Sequence, residues 1–140
     1  MTYALIVLLG LVLGFALIGV ARKLMDQERL VFGLALVGAA LWYIGFGLYA
    51  NSGFAVLLPQ LLAGGFFLLM AVLGIRTSVL FLGIGWLLHA PWDILGDMYL
   101  DMSYAPFWTA PLCLGFDLLV GAYLVMRSRG RFELQAVQTA

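Results

Sequence analysis

Phe54–Ile75 reads FAVLLPQLLAGGFFLLMAVLGI, a run of 22 residues without one charged side chain. At a rise of about 1.5 Å per residue, a helix of this length crosses a hydrocarbon layer of about 30 Å. The whole chain has the same character, since 65% of its 140 residues are hydrophobic, 10% are charged and the mean hydropathy is +1.11. A soluble domain needs more polar surface than this, so we interpret the chain as an integral membrane protein.

Four further apolar runs accompany this one, and together they predict five membrane-spanning helices: Thr2–Val20, Leu30–Ala50, Phe54–Ile75, Thr77–Leu95 and Pro106–Met126. Barrel strands alternate over about ten residues, whereas these runs are apolar on every face, so an all-α five-helix bundle is predicted. The first run has no basic segment before it and no small-residue cleavage site, which indicates a retained helix rather than a signal peptide. We expect one transmembrane domain over residues 1–126 and a polar, basic tail over residues 127–140.

The basic residues all fall on one side of this predicted topology, whereas the opposite loops carry Asp97 and Asp101. By the positive-inside rule, the N-terminus is predicted to lie outside and the C-terminus in the cytoplasm. We therefore expect a multi-pass protein of a bacterial inner membrane. The basic residues are Arg22, Lys23, Arg29, Arg76, Arg127, Arg129 and Arg131.

A faint internal repeat relates the second and fourth spans. Trp42 and Tyr49 stand seven residues apart, as do Trp92 and Tyr99, and each pair precedes an outer turn and a returning helix. The hairpins of spans two–three and four–five are therefore predicted to form a parallel repeat. The second hairpin carries the ionisable residues, and the first carries almost none.

Two polar pairs with i,i+4 spacing lie in the last two spans. The only histidine, His89, stands four residues before Asp93, and Cys113 stands four residues before Asp117. This spacing places the members of each pair on one helix face. Adjacent antiparallel helices bring the two faces together, and an aspartate at a helix centre costs ~2.5–3.5 kcal/mol unless it faces the interior. We expect Asp117 to pair with His89.

These residues outline a predicted polar pocket in the outer half of the bundle. Pro91 lies beside it and removes one backbone hydrogen bond from the fourth helix. Tryptophans supply the expected walls, and a glutamine of the third span supplies a further polar group. The predicted pocket residues are Trp42, Gln60, Trp86, His89, Trp92, Asp93, Cys113 and Asp117.

The string GIGWLLH over residues 83–89, followed by Trp92-Asp93 and by Cys113-x-x-x-Asp117, resembles a small family of bacterial integral membrane proteins of unknown function. The resemblance covers residues 79–123. It implies a shared site around His89, Asp93, Cys113 and Asp117, and it implies no activity or cofactor.

Three functions stay open at this point. The first is a module that binds or senses a small lipophilic molecule, because apolar pockets with few polar groups are typical of small-molecule sites. The second is a membrane-embedded enzyme in which His89, Asp93 and Asp117 hold a divalent metal ion, or in which His89 acts as a general base. A lone histidine without an HxxxH or HExxH spacing makes the metal signal weak. The third is a proton relay or transporter subunit. Behind all three stands a purely structural His89–Asp117 pair.

The expected partners follow from the same features. The lipid bilayer surrounds the chain, and a formal net charge of zero gives no footprint for a nucleic acid. Gly10 and Gly14 form a GxxxG motif in the first span, which favours close helix contact and, through it, a homo-oligomer.

Overall fold

The computed structural model describes residues 2–100 and 104–138, with the side chains of Met25 and of residues 130–138 left out. Over these residues the chain forms five α-helices and one short 3-10 helix, Met25–Gln27, and it has no strand. All five α-helices are long and apolar enough to cross a membrane, which confirms the predicted all-α, five-span architecture. The helices are α1 Thr2–Lys23, α2 Glu28–Tyr49, α3 Phe54–Arg76, α4 Val79–Tyr99 and α5 Thr109–Gln138.

The helix ends differ most from prediction around the connection between α4 and α5. The predicted loop began at Gly96, but α4 continues to Tyr99, and the Leu100 N–H still donates to the Gly96 carbonyl. The fifth helix starts at Thr109, whose N–H and hydroxyl both donate to the Pro106 carbonyl and close a turn before the helix. The helical backbone then runs on to residue 138, through most of the predicted tail. Asp101 and residues 139–140 lie outside the described residues.

Helix α4 is the centre of the bundle. Half of the most apolar stretch of α4 is buried inside the bundle, whereas 17% to 33% of the corresponding stretch is buried in each of the other four helices. It packs against α5, α3 and α2, while α1 lies against α5 and makes only a slight contact with α2. The core consists of side chains that these helices bury completely, among them Phe32, Leu36, Leu82, Trp86, Val120 and Leu124. A polar side chain carried by α4 is therefore held away from lipid on several sides.

Glycines let α1 and α5 approach until their backbones touch. A Cβ atom on Gly10 would overlap the Leu112 carbonyl oxygen, and one on Gly115 would overlap the Val7 carbonyl oxygen. Gly14 is also buried, against the α5 face. The close helix contact expected at the GxxxG motif is thus made within one chain. A homo-oligomer through these glycines stays a prediction, and it would require α5 to leave this face.

An ion pair joins the beginning of α2 to α5. The Arg127 guanidinium lies 2.5 Å from the carboxylate of Glu28, which is only 5% exposed. The Tyr123 hydroxyl donates to the other oxygen of Glu28 over 3.1 Å and accepts from Arg127 over 3.2 Å. These three contacts supply hydrogen bonds to a buried carboxylate and hold the beginning of α2 against α5.

Replacing Gly10 by alanine tests the α1–α5 contact. The added methyl group meets backbone atoms that cannot rotate away, so we expect a loss of about 1–3 kcal/mol in the free energy of unfolding in detergent micelles. Gly19→Ala is the matched control, because nothing lies within 4 Å of a Cβ at that position of the same helix. Equal stability of the two variants would contradict the contact.

Candidate functional site

Helices α4 and α5 bring the only histidine into contact with the mid-helix carboxylate. The His89 Nδ1 atom lies 2.9 Å from the Asp117 Oδ2 atom, within hydrogen-bonding distance. His89 is 1% exposed and Asp117 is fully buried. The contact predicted from the two i,i+4 pairs is therefore confirmed.

Asp93 joins this pair from the same side of α4. Its Oδ2 atom lies 3.5 Å from the same His89 Nδ1 atom, and its side chain is fully buried. We call His89, Asp93 and Asp117 the His89 cluster. One imidazole nitrogen in this cluster thus faces two carboxyl groups.

The carboxyl groups of the His89 cluster are incompletely satisfied. Within the described part of the chain, neither oxygen of Asp93 has a hydrogen-bond partner, and neither does the Oδ1 atom of Asp117. The Tyr43 hydroxyl and the Cys113 thiol interact with the Asp93 carboxyl group, but neither interaction has the distance and angle of a well-formed hydrogen bond. Buried polar groups are nearly always paired, and an unpaired buried carboxylate is costly. The site therefore needs positive charge, carried by protons or by a metal ion.

The other edge of the His89 ring is held by α2. The backbone carbonyl of Ala39 lies beside the imidazole, and because Nδ1 is directed at the carboxyl groups, Nε2 is the nitrogen that faces this carbonyl. This contact fixes the ring orientation and keeps the Nδ1 atom aimed at Asp93 and Asp117.

Aromatic rings enclose the His89 cluster. The Phe67 ring lies 4.8 Å from the imidazole between centroids, and the Trp86 ring lies 6.4 Å away. Phe116 packs against Trp86 at 5.3 Å and extends this wall. The cluster is therefore shielded by apolar rings and buried, and the electrostatic interactions within it are stronger than they would be in water.

Gln60 and Trp92 lie next to the cluster, as predicted. The Trp92 indole N–H donates to the Gln60 side-chain oxygen over 3.3 Å and so joins α4 to α3. Both residues line a crevice with His89, Tyr43 and Phe67 that is too narrow to hold a water molecule.

Trp42 is the one predicted pocket residue that the structure places elsewhere. Its side chain is 48% exposed and packs edge-on against Phe46 and Trp108 rather than against His89. The depth of Trp42 in the second span suggested the pocket, but the direction in which a helix faces cannot be read from a run that is apolar all round. Its neighbour Tyr43 points inward instead and is 2% exposed.

Sequence reasoning missed three side chains beside the predicted site: Tyr43, Phe67 and Phe116. Tyr43 offered a usable signal, because a tyrosine hydroxyl within an apolar span needs a polar partner. The two phenylalanines offered none, since they are indistinguishable from the other apolar residues of their spans.

An apolar groove opens on the outer surface of the bundle between α3 and α4. Its volume is about 560 Å³, and its walls are almost free of polar atoms. Ala63, Phe67 and Trp92 line both this groove and the narrow crevice beside His89. One layer of side chains thus separates the groove from the His89 cluster. The remaining walls are Leu58, Pro59, Leu62, Phe66, Leu88, Pro91 and Leu95.

A double-mutant cycle measures whether the His89–Asp117 contact stabilises the fold. We expect His89→Ala and Asp117→Ala to be coupled by about 1–2 kcal/mol in the free energy of unfolding, because each removes the partner of the other. The control cycle combines Asp97→Ala, at an exposed position of α4, with Asp117→Ala, and its effects should add within about 0.5 kcal/mol. Additivity in the first cycle would show that the contact stabilises nothing.

The comparisons with known proteins name no activity. Neither the comparison with curated proteins nor that with solved structures gave a match. A family model described as a family of unknown function (DUF6010) matches residues 5–130, which include the His89 cluster and the groove. On this match over most of its length, the chain belongs to the DUF6010 family, whose function is unknown.

Proposed function

We propose that this membrane protein binds a small lipophilic molecule in the groove between α3 and α4. The observation that carries the proposal is the groove itself, an apolar cleft of about 560 Å³ one side-chain layer from a buried polar cluster. Small-molecule sites have volumes of about 300–1,000 Å³ and combine apolar walls with a few placed polar groups.

The lining of the groove indicates the chemistry of the ligand. Aliphatic and aromatic walls favour a hydrocarbon body, and they disfavour a charged group, which would leave its hydration shell without compensation. The groove walls offer almost no polar atom, and the Trp92 indole N–H donates to Gln60, which lines the crevice beside His89. A ligand with one carbonyl or hydroxyl group could exchange for Gln60 at this N–H. The groove faces the surface that the bilayer covers, so such a ligand enters sideways from the lipid.

The predicted orientation forms part of the proposal, with the N-terminus outside and the C-terminus in the cytoplasm. Two contacts support a common end for the basic residues. Arg29 donates to the Thr77 carbonyl over 3.1 Å, and Arg127 pairs with Glu28. The turns after α1 and α3 therefore lie beside α5 at one end of the bundle. The positive-inside rule assigns this end to the cytoplasmic side of a cell membrane. Residues 1–126 then form the membrane domain, with hairpins α2–α3 and α4–α5 as its proposed repeat.

Acid–base chemistry in the His89 cluster is the second candidate function. The observation that favours it is the position of one imidazole nitrogen 2.9 Å and 3.5 Å from two carboxyl groups, which suits proton exchange between them. Such a cluster could serve an enzyme or a proton relay. Its ligand would still approach through the groove, because Phe67 and Trp92 form the shared wall.

Filling the groove tests the lipophilic-ligand proposal. We expect native mass spectrometry of the gently extracted protein to show a bound lipophilic molecule, and its occupancy to fall at least fivefold in Leu62→Trp and Leu88→Trp. Each variant inserts an indole into one wall of the groove. Leu69→Trp is the control, because Leu69 is exposed on α3 outside the groove lining. Equal occupancy in all variants, or no bound molecule in the wild type, would refute the proposal.

Cysteine labelling tests the orientation. In a Cys113→Ser background, a membrane-impermeant thiol reagent should label Ser52→Cys in intact cells, because residue 52 lies in the turn between α2 and α3. It should label Asp26→Cys, in the turn after α1, only after the cells are permeabilised. The reverse pattern would invert the topology.

A further inference from the structure

We propose that His89, Asp93 and Asp117 form a binding site for one divalent transition-metal ion, with His89 ligating through Nδ1. Each residue offers one ligand atom, and the three atoms lie within 4.8 Å of one another. The proposal does not depend on the lipophilic ligand of the groove.

The distances around His89 suit such a site. A tetrahedral ion with Zn–N and Zn–O bonds of about 2.0–2.2 Å places its ligand atoms about 3.3–3.5 Å apart. The Nδ1 atom lies 3.5 Å from Asp93, within this range. Its 2.9 Å contact with Asp117 is a hydrogen bond, so an ion would displace the shared proton and the two atoms would move apart by about 0.5 Å. All three ligand atoms lie within 4.8 Å of one another, and rotation about χ2, a torsion that is soft in aspartate, can bring the carboxylate oxygens closer.

The unpartnered carboxylate oxygens are an independent observation that points to a cation. Among the described residues, both oxygens of Asp93 and one of Asp117 have no well-formed hydrogen bond, although both side chains are fully buried. A metal ion would supply the bonds that the protein groups of the described residues do not. Asp93 in particular is one turn from the exposed Asp97 on the same helix, yet it is turned into the interior.

Charge balance favours a divalent ion. The membrane-spanning parts of α4 and α5, residues 79–99 and 109–126, contain no lysine or arginine. Arg127, at the inner end of α5, is committed to Glu28. Two ionised carboxylates and a neutral imidazole carry a charge of −2, which one divalent ion cancels. A neutral site avoids most of the cost of placing charge in a dry interior.

The ligand set and its surroundings match those of transition-metal sites. Imidazole and carboxylate together suit ions such as Zn²⁺, whereas Mg²⁺ and Ca²⁺ prefer oxygen ligands alone. A ligating histidine almost always donates its other N–H to a carbonyl or carboxylate, and the Ala39 carbonyl faces His89 in a position for this role. Three protein ligands leave a fourth position open, as in catalytic zinc sites.

Metal titration of the full chain tests the proposal. We would purify the protein in a mild detergent, strip it with a chelator and titrate it with Co²⁺ and with Zn²⁺. We expect one Co²⁺ ion to bind per chain and to give the visible absorption bands of a low-symmetry cobalt site. One equivalent of Zn²⁺ should displace the Co²⁺, and Zn²⁺ addition should raise the melting temperature of the protein. Because this part uses only the wild type, it does not depend on whether a variant folds.

Two matched variants locate the site. Asp93→Asn should weaken Zn²⁺ binding at least tenfold, because it removes a charged ligand atom at nearly constant shape. Asp97→Asn removes the same charge one turn further along α4 at an exposed position, and it should bind as the wild type does. Leu62→Trp, which fills the groove, should also retain the metal, so failure of the lipophilic-ligand proposal would leave this result untouched.

Three outcomes would overturn the metal site. The first is a folded wild type that binds no Co²⁺ or Zn²⁺ in a saturable way. The second is Asp93→Asn binding as tightly as the wild type. The third is equal loss of binding in Asp97→Asn, which would indicate adventitious surface binding. If the wild type binds no metal and the Asp93→Asn variant is more stable than the wild type, the metal site is refuted. Protons then neutralise the carboxyl groups of the His89 cluster.

Discussion

The structure depends on the need to keep two carboxylates and an imidazole out of hydrocarbon. Asp93, Asp117 and His89 can remain in the membrane interior only if the helices that carry them bury them completely. Helix α4 satisfies this requirement by taking the central place in the bundle, with α5, α3 and α2 packed around it. The arrangement of the other helices follows from that position.

The other helices are held together by close backbone contacts and by an ion pair. Lipid tails are as apolar as leucine, so burial of apolar surface gives little force between helices in a membrane. Helices α1 and α5 instead use glycines to bring their backbones into contact, and α2 is fastened to α5 by Glu28, Tyr123 and Arg127. The groove lies away from these contacts, on the outer side of α3 and α4. The groove is thus a space on the outside of the bundle that side chains of the described residues do not fill.

The sequence was most informative where the chemistry of the bilayer restricts the outcome. Long apolar runs predicted the five helices, and the i,i+4 spacing of His89 with Asp93 and of Cys113 with Asp117 predicted that the two polar pairs meet. The His89–Asp117 contact at 2.9 Å confirms this expectation. Spacing sufficed because a buried carboxylate on one helix of a hairpin has few partners within reach.

The sequence was least informative for side chains that are equally stable in lipid and in the protein interior. An indole tolerates either environment, so nothing in the second span indicated that Trp42 faces outward while Tyr43 faces the cluster. Helix ends were also misjudged around the α4–α5 connection, since Gly96–Tyr99 has the polar composition of a loop but continues the helix. The groove escaped prediction altogether, because a void between two helices depends on their separation and leaves no trace in residue order.

The position of Trp92 has a thermodynamic consequence for the two proposed sites. Its ring belongs both to the groove and to the crevice beside His89, and its N–H is held by Gln60. A guest molecule that shifts this ring alters the environment of the cluster, and a charge change in the cluster alters the rest position of the ring. Linkage requires that these influences be equal in both directions, so each occupant changes the affinity for the other by the same factor. The shared Trp92 ring is therefore a contact through which an occupant of the membrane-facing cleft would change the affinity of the buried ionisable groups for an ion, and the reverse.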